Sequence, residues 1–120
     1  MMRGDGAPPR VSVVVPCFNQ RTYLAEALDA ILSQEFGDLE VIVVDDCSED
    51  GSKQIIESYV EEDARINAVF HQRNTGVSIS RNDGISMARG EFVAFCDADD
   101  VWAKSKLARQ VEVLERKPEA

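Results

Sequence analysis

Short β-branched runs alternate along this chain with segments whose apolar residues return every third or fourth position. The run VSVVV (Val11 to Val15) predicts a strand. TYLAEALDAILSQ then places Leu24, Leu28, Ile31 and Leu32 at i, i+4, i+7 and i+8, the stripe of an amphipathic helix. The alternation recurs: EVIVV (Glu40 to Val44) precedes a helix carrying Ile55, Ile56, Tyr59 and Val60, and INAVF (Ile66 to Phe70) precedes one starting near Ser78. That third helix is expected to stop at Gly90, a left-handed cap after Arg89. EFVAF (Glu91 to Phe95) is the fourth strand, and Leu107, Val111 and Leu114 mark a last helix before Pro118. The order is βαβαβαβα.

Strands this apolar are expected to be buried on both faces. Joined by helices, they are most simply parallel, with right-handed crossovers. The expected fold class is therefore α/β, a three-layer α/β/α sandwich around a mainly parallel sheet. Residues Met1 to Arg10, MMRGDGAPPR, carry two glycines and two prolines and are expected as a flexible lead, leaving residues 11–118 as the domain. At 120 residues and 44% hydrophobic composition, one core is expected.

Charge and cysteine usage narrow the class. The 22 acidic against 13 basic side chains give a formal charge of -9, which disfavours a general basic surface for nucleic acid or anionic membrane. An anionic ligand would need a local cation. Cys17, Cys47 and Cys96 are widely spaced and odd in number, which fits a reducing cytoplasm better than a disulfide framework. No apolar run approaches the roughly 20 residues of a membrane span, and the N-terminus lacks an apolar signal core. Membrane association is thus left to a longer full-length protein.

In parallel sheets, ligands gather outside the carboxyl ends of the strands. Here those ends read PCFNQ (Pro16 to Gln20), DDCSEDGS (Asp45 to Ser52), HQRNTGVS (His71 to Ser78) and DADD (Asp97 to Asp100). Carboxylates in apolar surroundings are costly unless hydrogen-bonded, neutralised or bound to metal. Two acidic strand ends therefore point to a shared cation. Asp97 and Asp99, two apart, can be aimed at one locus, and a hard divalent ion would let substrate phosphates complete its shell. The plainer reading makes these acids turn formers, with Asp99 or Asp100 capping the next helix. Asp45 and Asp46 have the same two readings, either a turn capped by Asp50 or Ser52 or one carboxylate accepting a ligand N–H while its neighbour supports the loop. Arg73 and Arg81 are candidate phosphate clamps or surface ion-pair partners. His71 and Trp102 are assigned no role.

Taken together, SVVVPCFNQRTYLAEALDAILSQEFGDLEVIVVDDCSEDGS and RNTGVSISRNDGISMARGEFVAFCDADD resemble the family 2 nucleotide-sugar glycosyltransferases of the GT-A fold, from Val11 to about Pro118. The resemblance implies metal-dependent, inverting transfer of a sugar from a nucleoside diphosphate donor, with a UDP-sugar as the default. The acceptor would be the hydroxyl of a saccharide or lipid-linked molecule in polysaccharide biosynthesis. In family terms Pro16 and Phe18 would line the nucleoside pocket, with Asn19 beside them on the donor side, and Asp46 would hydrogen-bond the base. Arg81 would lie near the diphosphate. Asp97 and Asp99 would form the DxD element, Asp97 facing the donor ribose or sugar and Asp99 ligating Mn²⁺ or Mg²⁺. Three departures stand out: Ser80 where the family often has alanine, Cys47 where it often has glycine, and Cys96 where it often has an aliphatic residue. The general base would come from a segment beyond residue 120, so the chain reads as a truncated, donor-binding half. Two other classes stay open, a phospho-receiver signalling domain and a non-catalytic nucleotide-binding module.

Overall fold

A computed structural model describes residues 7–116 and contains the expected alternation of elements. These are β1 (Val11–Cys17), α1 (Arg21–Leu32), β2 (Leu39–Asp45), α2 (Ser52–Glu62), β3 (Ile66–Phe70), α3 (Val77–Met87), β4 (Phe92–Phe95) and α4 (Lys106–Arg116). Residues 1–6 of the expected lead, and Pro118 as the expected end of the domain, lie outside the described residues. Within the lead, Pro9 is buried. Arg10 accepts a backbone hydrogen bond from Phe92 at 3.0 Å and pairs with Glu91 at 2.9 Å.

All strand pairs are parallel, in the order β3-β2-β1-β4. β1 and β2 are central and buried along their whole length. Burial on both faces does not extend to the other two strands, which form the edges of this sheet. Asn67 of β3 is exposed, as are Val93 and Phe95 of β4. β1 also runs two residues past the expected Val15. Its Pro16 sits opposite Val44, and Cys17 turns its carbonyl to β2, where it accepts the amide of Asp46. Because carbonyls alternate along a strand, Pro16 turns its missing donor toward the β4 side, where pairing has already stopped at Val14–Phe95.

The two faces of β1 and β2 meet different helices. Val11, Val13 and Val15 join Leu39, Val41 and Val43 in one core with Leu24, Leu28 and Ile31 of α1, Ile56 of α2, and Leu107 and Val111 of α4. Burying each such Leu, Ile or Val contributes about 1.5–3 kcal/mol. Val60, placed by its spacing on the apolar stripe of α2, is exposed. α3 packs on the opposite face and lies so close that a Cβ on Gly84 would be 2.3 Å from Val14 Cγ1. The result is a helix/sheet/helix sandwich of the expected α/β class.

The end of α3 differs from expectation. The helix stops at Met87, Ala88 takes the cap position in extended backbone, and Gly90 is not a left-handed cap. Glycine is needed there for proximity, since a Cβ would lie 2.7 Å from the backbone nitrogen of Ser12. A buried network fixes this approach. Ser12 Oγ donates to Glu40 Oε2 at 2.5 Å and accepts the amide of Gly90 at 2.8 Å, while Arg89 donates its amide to the same Glu40 oxygen at 2.7 Å.

The chain therefore steps from β1 to β2 to β3 in one direction and returns across the far side of β1 to lay down β4. The carboxyl ends of β1 and β4 thus flank the switch in strand order, where open α/β sheets form their ligand crevice. The receiver alternative requires the order 2-1-3-4-5, which this sheet does not have.

Candidate functional site

The first two loops are tied to each other by side chains acting on backbone. Asn19, in left-handed backbone (φ 52°), donates its amide to Ser48 Oγ at 2.9 Å and accepts the amide of Glu49 on Oδ1 at 2.9 Å. Asp50 accepts the amides of Arg21 and Ser52, each at 3.0 Å. Asp45 is buried and accepts both the amide (3.1 Å) and the hydroxyl (2.6 Å) of Ser48. Pro16 is buried at the end of β1, and Phe18 is 46% exposed beyond it.

Asp46 points into a different set of partners. Its Oδ1 accepts the Thr75 amide and hydroxyl, both at 2.8 Å, and lies 2.8 Å from His71 Nδ1; Oδ2 accepts the Gly76 amide at 2.8 Å. Burial of Asp46 works against its charge, but the hydrogen bonds from His71, Thr75 and Gly76 outweigh it and lower the carboxyl pKa to about 2. A carboxylate has about four lone-pair sites. With three donors crowding Oδ1 and one on Oδ2, the spare acceptor capacity lies on Oδ2.

At the end of β4 the chain alternates. Cys96 and Ala98 are buried, while Asp97, Asp99 and Asp100 are exposed. The DAD spacing works because Ala98 anchors the turn in the core and leaves an acid facing outward on each side. Asp100 closes the turn by donating its amide to the Asp97 carbonyl at 3.0 Å. Oxygens of Asp97, Asp99 and Asp100 all lie within 4.8 Å of one another. Neither Asp99 nor Asp100 caps the next helix, because α4 begins only at Lys106; the amide of Leu107 is taken instead by Gln34 Oε1 at 3.1 Å. Arg81, one turn into α3, places its guanidinium 3.7 Å from Asp97 Oδ1 and 5.9 Å from the Phe95 ring centroid. Arg73 lies exposed in the loop before α3.

His71, given no role from the sequence, is joined here by Thr75 and Asp83, which the sequence does not single out. The signal available was a histidine directly after a strand whose neighbour ends in two acids. Among the described residues the cysteines form no metal-ligating group. Burial, with Asp45 near one and Asp100 near the other, pushes the Cys17 and Cys96 thiols up to about 12. Trp102 belongs to the core. A groove of about 500 Å³ lies between β4 and α4, lined by Phe92, Ala94, Trp102, Leu107 and Val111 among others. Its lining is largely apolar and includes none of Asn19, Asp46, Arg81, Asp97 or Asp99. No helix among the described residues is long and apolar enough to cross a membrane.

Comparison with known proteins bears on this edge. The model of the family described as "Glycosyl transferase family 2" matches residues 12–120. The chain is 41% identical over 106 residues to TuaG of Bacillus subtilis (strain 168), named for teichuronic acid biosynthesis, covering 88% of this chain and 42% of TuaG. It is also 41% identical over 108 residues to the glycosyltransferase EpsJ of the same organism, covering 90% of this chain and 31% of EpsJ. Among solved structures, S. aureus TarS 1–349 in complex with UDP-GlcNAc superposes with a TM-score of 0.82 at 34% identity, covering 89% of this chain and 31% of that one. The mannosyltransferase PcManGT of Pyrobaculum calidifontis, in complex with GDP-Man and Mn²⁺, also gives 0.82 at 34% identity, covering 89% and 32%. The chain thus spans less than half the length of these relatives.

Proposed function

This chain belongs to glycosyl transferase family 2, and we propose that it is the donor-binding part of an inverting enzyme that transfers a sugar from a nucleoside diphosphate, with UDP preferred, to an acceptor hydroxyl. The observation that carries this reading is the meeting, at the switch in strand order, of an outward-facing acidic turn with Arg81, 3.7 Å from Asp97. In a chain with a formal charge of -9, a diphosphate needs that local cation and a metal to be held.

The donor set fits a hard divalent ion, since three exposed carboxylates offer oxygens within 4.8 Å of one another. Asp99 is the proposed ligand of Mn²⁺ or Mg²⁺, and the bound ion supplies Lewis-acid stabilisation of the leaving diphosphate. Asp97, steadied by Arg81, faces the donor ribose or sugar. Arg81 offers its planar fork to the diphosphate. Asp46 Oδ2 accepts an N–H from the base. Pro16 and the exposed ring of Phe18 line the nucleoside side, and Asn19 holds their loop to the neighbouring one. The notable support from relatives is that TarS is solved with UDP-GlcNAc and PcManGT with GDP-Man and Mn²⁺.

No catalytic base is assigned within this chain. We place it in the part of the relatives that this chain does not match, together with the pocket for a saccharide or lipid-linked acceptor in polysaccharide biosynthesis. A cytoplasmic setting accords with the free cysteines. Calorimetric titration with UDP and GDP, with and without Mn²⁺, tests the proposal. Metal-dependent binding with UDP the tighter ligand is expected, alongside no efficient sugar transfer by this chain alone. Failure of every nucleoside diphosphate to bind in the presence of Mn²⁺ would overturn it.

A further inference from the structure

The ring of His71 stands between two carboxylates from different elements. Nδ1 lies 2.8 Å from Asp46 Oδ1, at the end of β2, and Nε2 lies 2.7 Å from Asp83 Oδ2, on the second turn of α3. A neutral imidazole has one N–H and would turn a lone pair toward the other carboxylate. Two carboxylate partners therefore favour the charged, doubly donating form. The His71 side chain is only 12% exposed and that of Asp46 only 6%, so water does little to screen that contact, whereas Asp83, 46% exposed, meets the ring from the solvent side. Asp46 and Asp83 are the charged groups that face the ring; Thr75 Oγ1 lies 3.0 Å from Nδ1, and the backbone amide of His71 donates to the Asp45 carbonyl.

Both ends of this bridge lead to residues of the proposed donor site. Through Asp46 it holds Thr75 and Gly76, the two residues that enter α3, and Gly76 is in the positive-φ backbone (95°) that starts the helix. Through Asp83 it holds α3 itself, the helix that carries Arg81. We propose that His71, carried as an imidazolium between Asp46 and Asp83, is the positioning residue that locks α3 and its entry loop onto the end of β2, setting Asp46 and Arg81 in register for a nucleoside diphosphate. The inference rests on the donor-binding reading above.

A pH dependence follows. The hydrogen bond that His71 donates to Asp46, against some burial, and then the one it donates to Asp83 raise the His71 pKa above 6.5. A group with a raised folded pKa contributes fully below its unfolded value, and the contribution disappears as pH rises through the folded value. The clamp is therefore lost on the alkaline side.

His71 is the sole histidine, so its imidazole signals in NMR spectra of the whole chain are unambiguous. The expected midpoint is above 6.5, and Asp83→Asn lowers it. Calorimetric affinity for UDP with Mg²⁺, followed from about pH 6.5 to about pH 9, should fall across that midpoint and shift downward in Asp83→Asn. His71→Gln should bind about tenfold more weakly at the acidic end and show no such step. A midpoint at or below the ordinary histidine value would overturn the charged clamp. An affinity that stays level while His71 titrates would overturn the positioning role and leave nucleotide binding intact. Absence of binding at every pH would remove the nucleotide reading and the positioning role with it, whereas the NMR midpoint would still decide the clamp.

Discussion

Asp50 Oδ2 accepts the backbone amide of Arg21 at 3.0 Å, so a carboxylate in the loop before α2 caps the start of α1 as well. Its Oδ1 takes both the amide (3.0 Å) and the hydroxyl (2.6 Å) of Ser52. Two helix starts, each with unpaired N–H groups and a positive dipole end, share one anion. Asp50→Ala should therefore destabilise the chain by about 2 kcal/mol, roughly one for each cap. Chemical denaturation measures this directly, and a midpoint equal to that of the wild type would refute the shared cap.

Asp99 presents the opposite case, an exposed carboxylate in the outward-facing turn. Asp99→Ala should leave the melting temperature and circular dichroism unchanged while removing the metal dependence of UDP binding, a loss of about tenfold or more in the presence of Mn²⁺. Persistence of the full Mn²⁺ effect in this variant would move the metal elsewhere.

Ser80 is 1% exposed, and its hydroxyl has no hydrogen-bond partner among the described residues. An unsatisfied buried hydroxyl costs about 1–3 kcal/mol, and alanine is the better helix former. Ser80→Ala should accordingly raise stability by about 1 kcal/mol. A lower melting temperature would show that the hydroxyl is used.

At Gly84 the direction reverses. A methyl group would meet Val14 Cγ1 at 2.3 Å, across the face that α3 packs on β1. Gly84→Ala should cost about 1–3 kcal/mol by overpacking, despite the gain in helix propensity. Pairing it with Val14→Ala should recover part of the loss, and a double variant no more stable than the sum of the singles would argue against direct contact.

On the acid side, the Asp46 carboxyl is lowered from 3.8 to about 2. A depressed folded pKa contributes stability that is present above the unfolded value and lost as pH falls toward the folded one. Stability should decline between about pH 4 and about pH 2, and Asp46→Asn should flatten that limb. Urea unfolding at stepped pH provides the check.

Much of the fold was legible because periodicity reports directly on burial. Leu24, Leu28 and Ile31 face the core, as their spacing required, and the β-branched runs became β1 and β2. What a one-dimensional pattern does not carry is position within the sheet. It therefore missed the exposure of Val93 and Phe95 on an edge strand and the exposure of Val60 on α2. From sequence Gly90 looks like a cap because a glycine after a helix usually is one; contact with Ser12, far away in sequence, is what demands it. Cys47 shows the converse. Its left-handed φ of 64° supplies the physical reason for glycine being common there in the family. In the candidate site, the acidic strand ends were visible, but the pairing of Asp46 with His71 and of Asn19 with Ser48 depends on which loops the strand order makes neighbours.

Because Gly90 touches Ser12 while β4 leads on to the Asp97–Asp100 turn, the two ends of the sheet are mechanically linked by a rod of four residues, about 13 Å long at strand rise. A side chain at position 90 would lever that rod away from its neighbour and tilt the acids at its tip. In a saturation screen, position 90 would then score alongside pocket residues, although it sits at the far pole of the molecule.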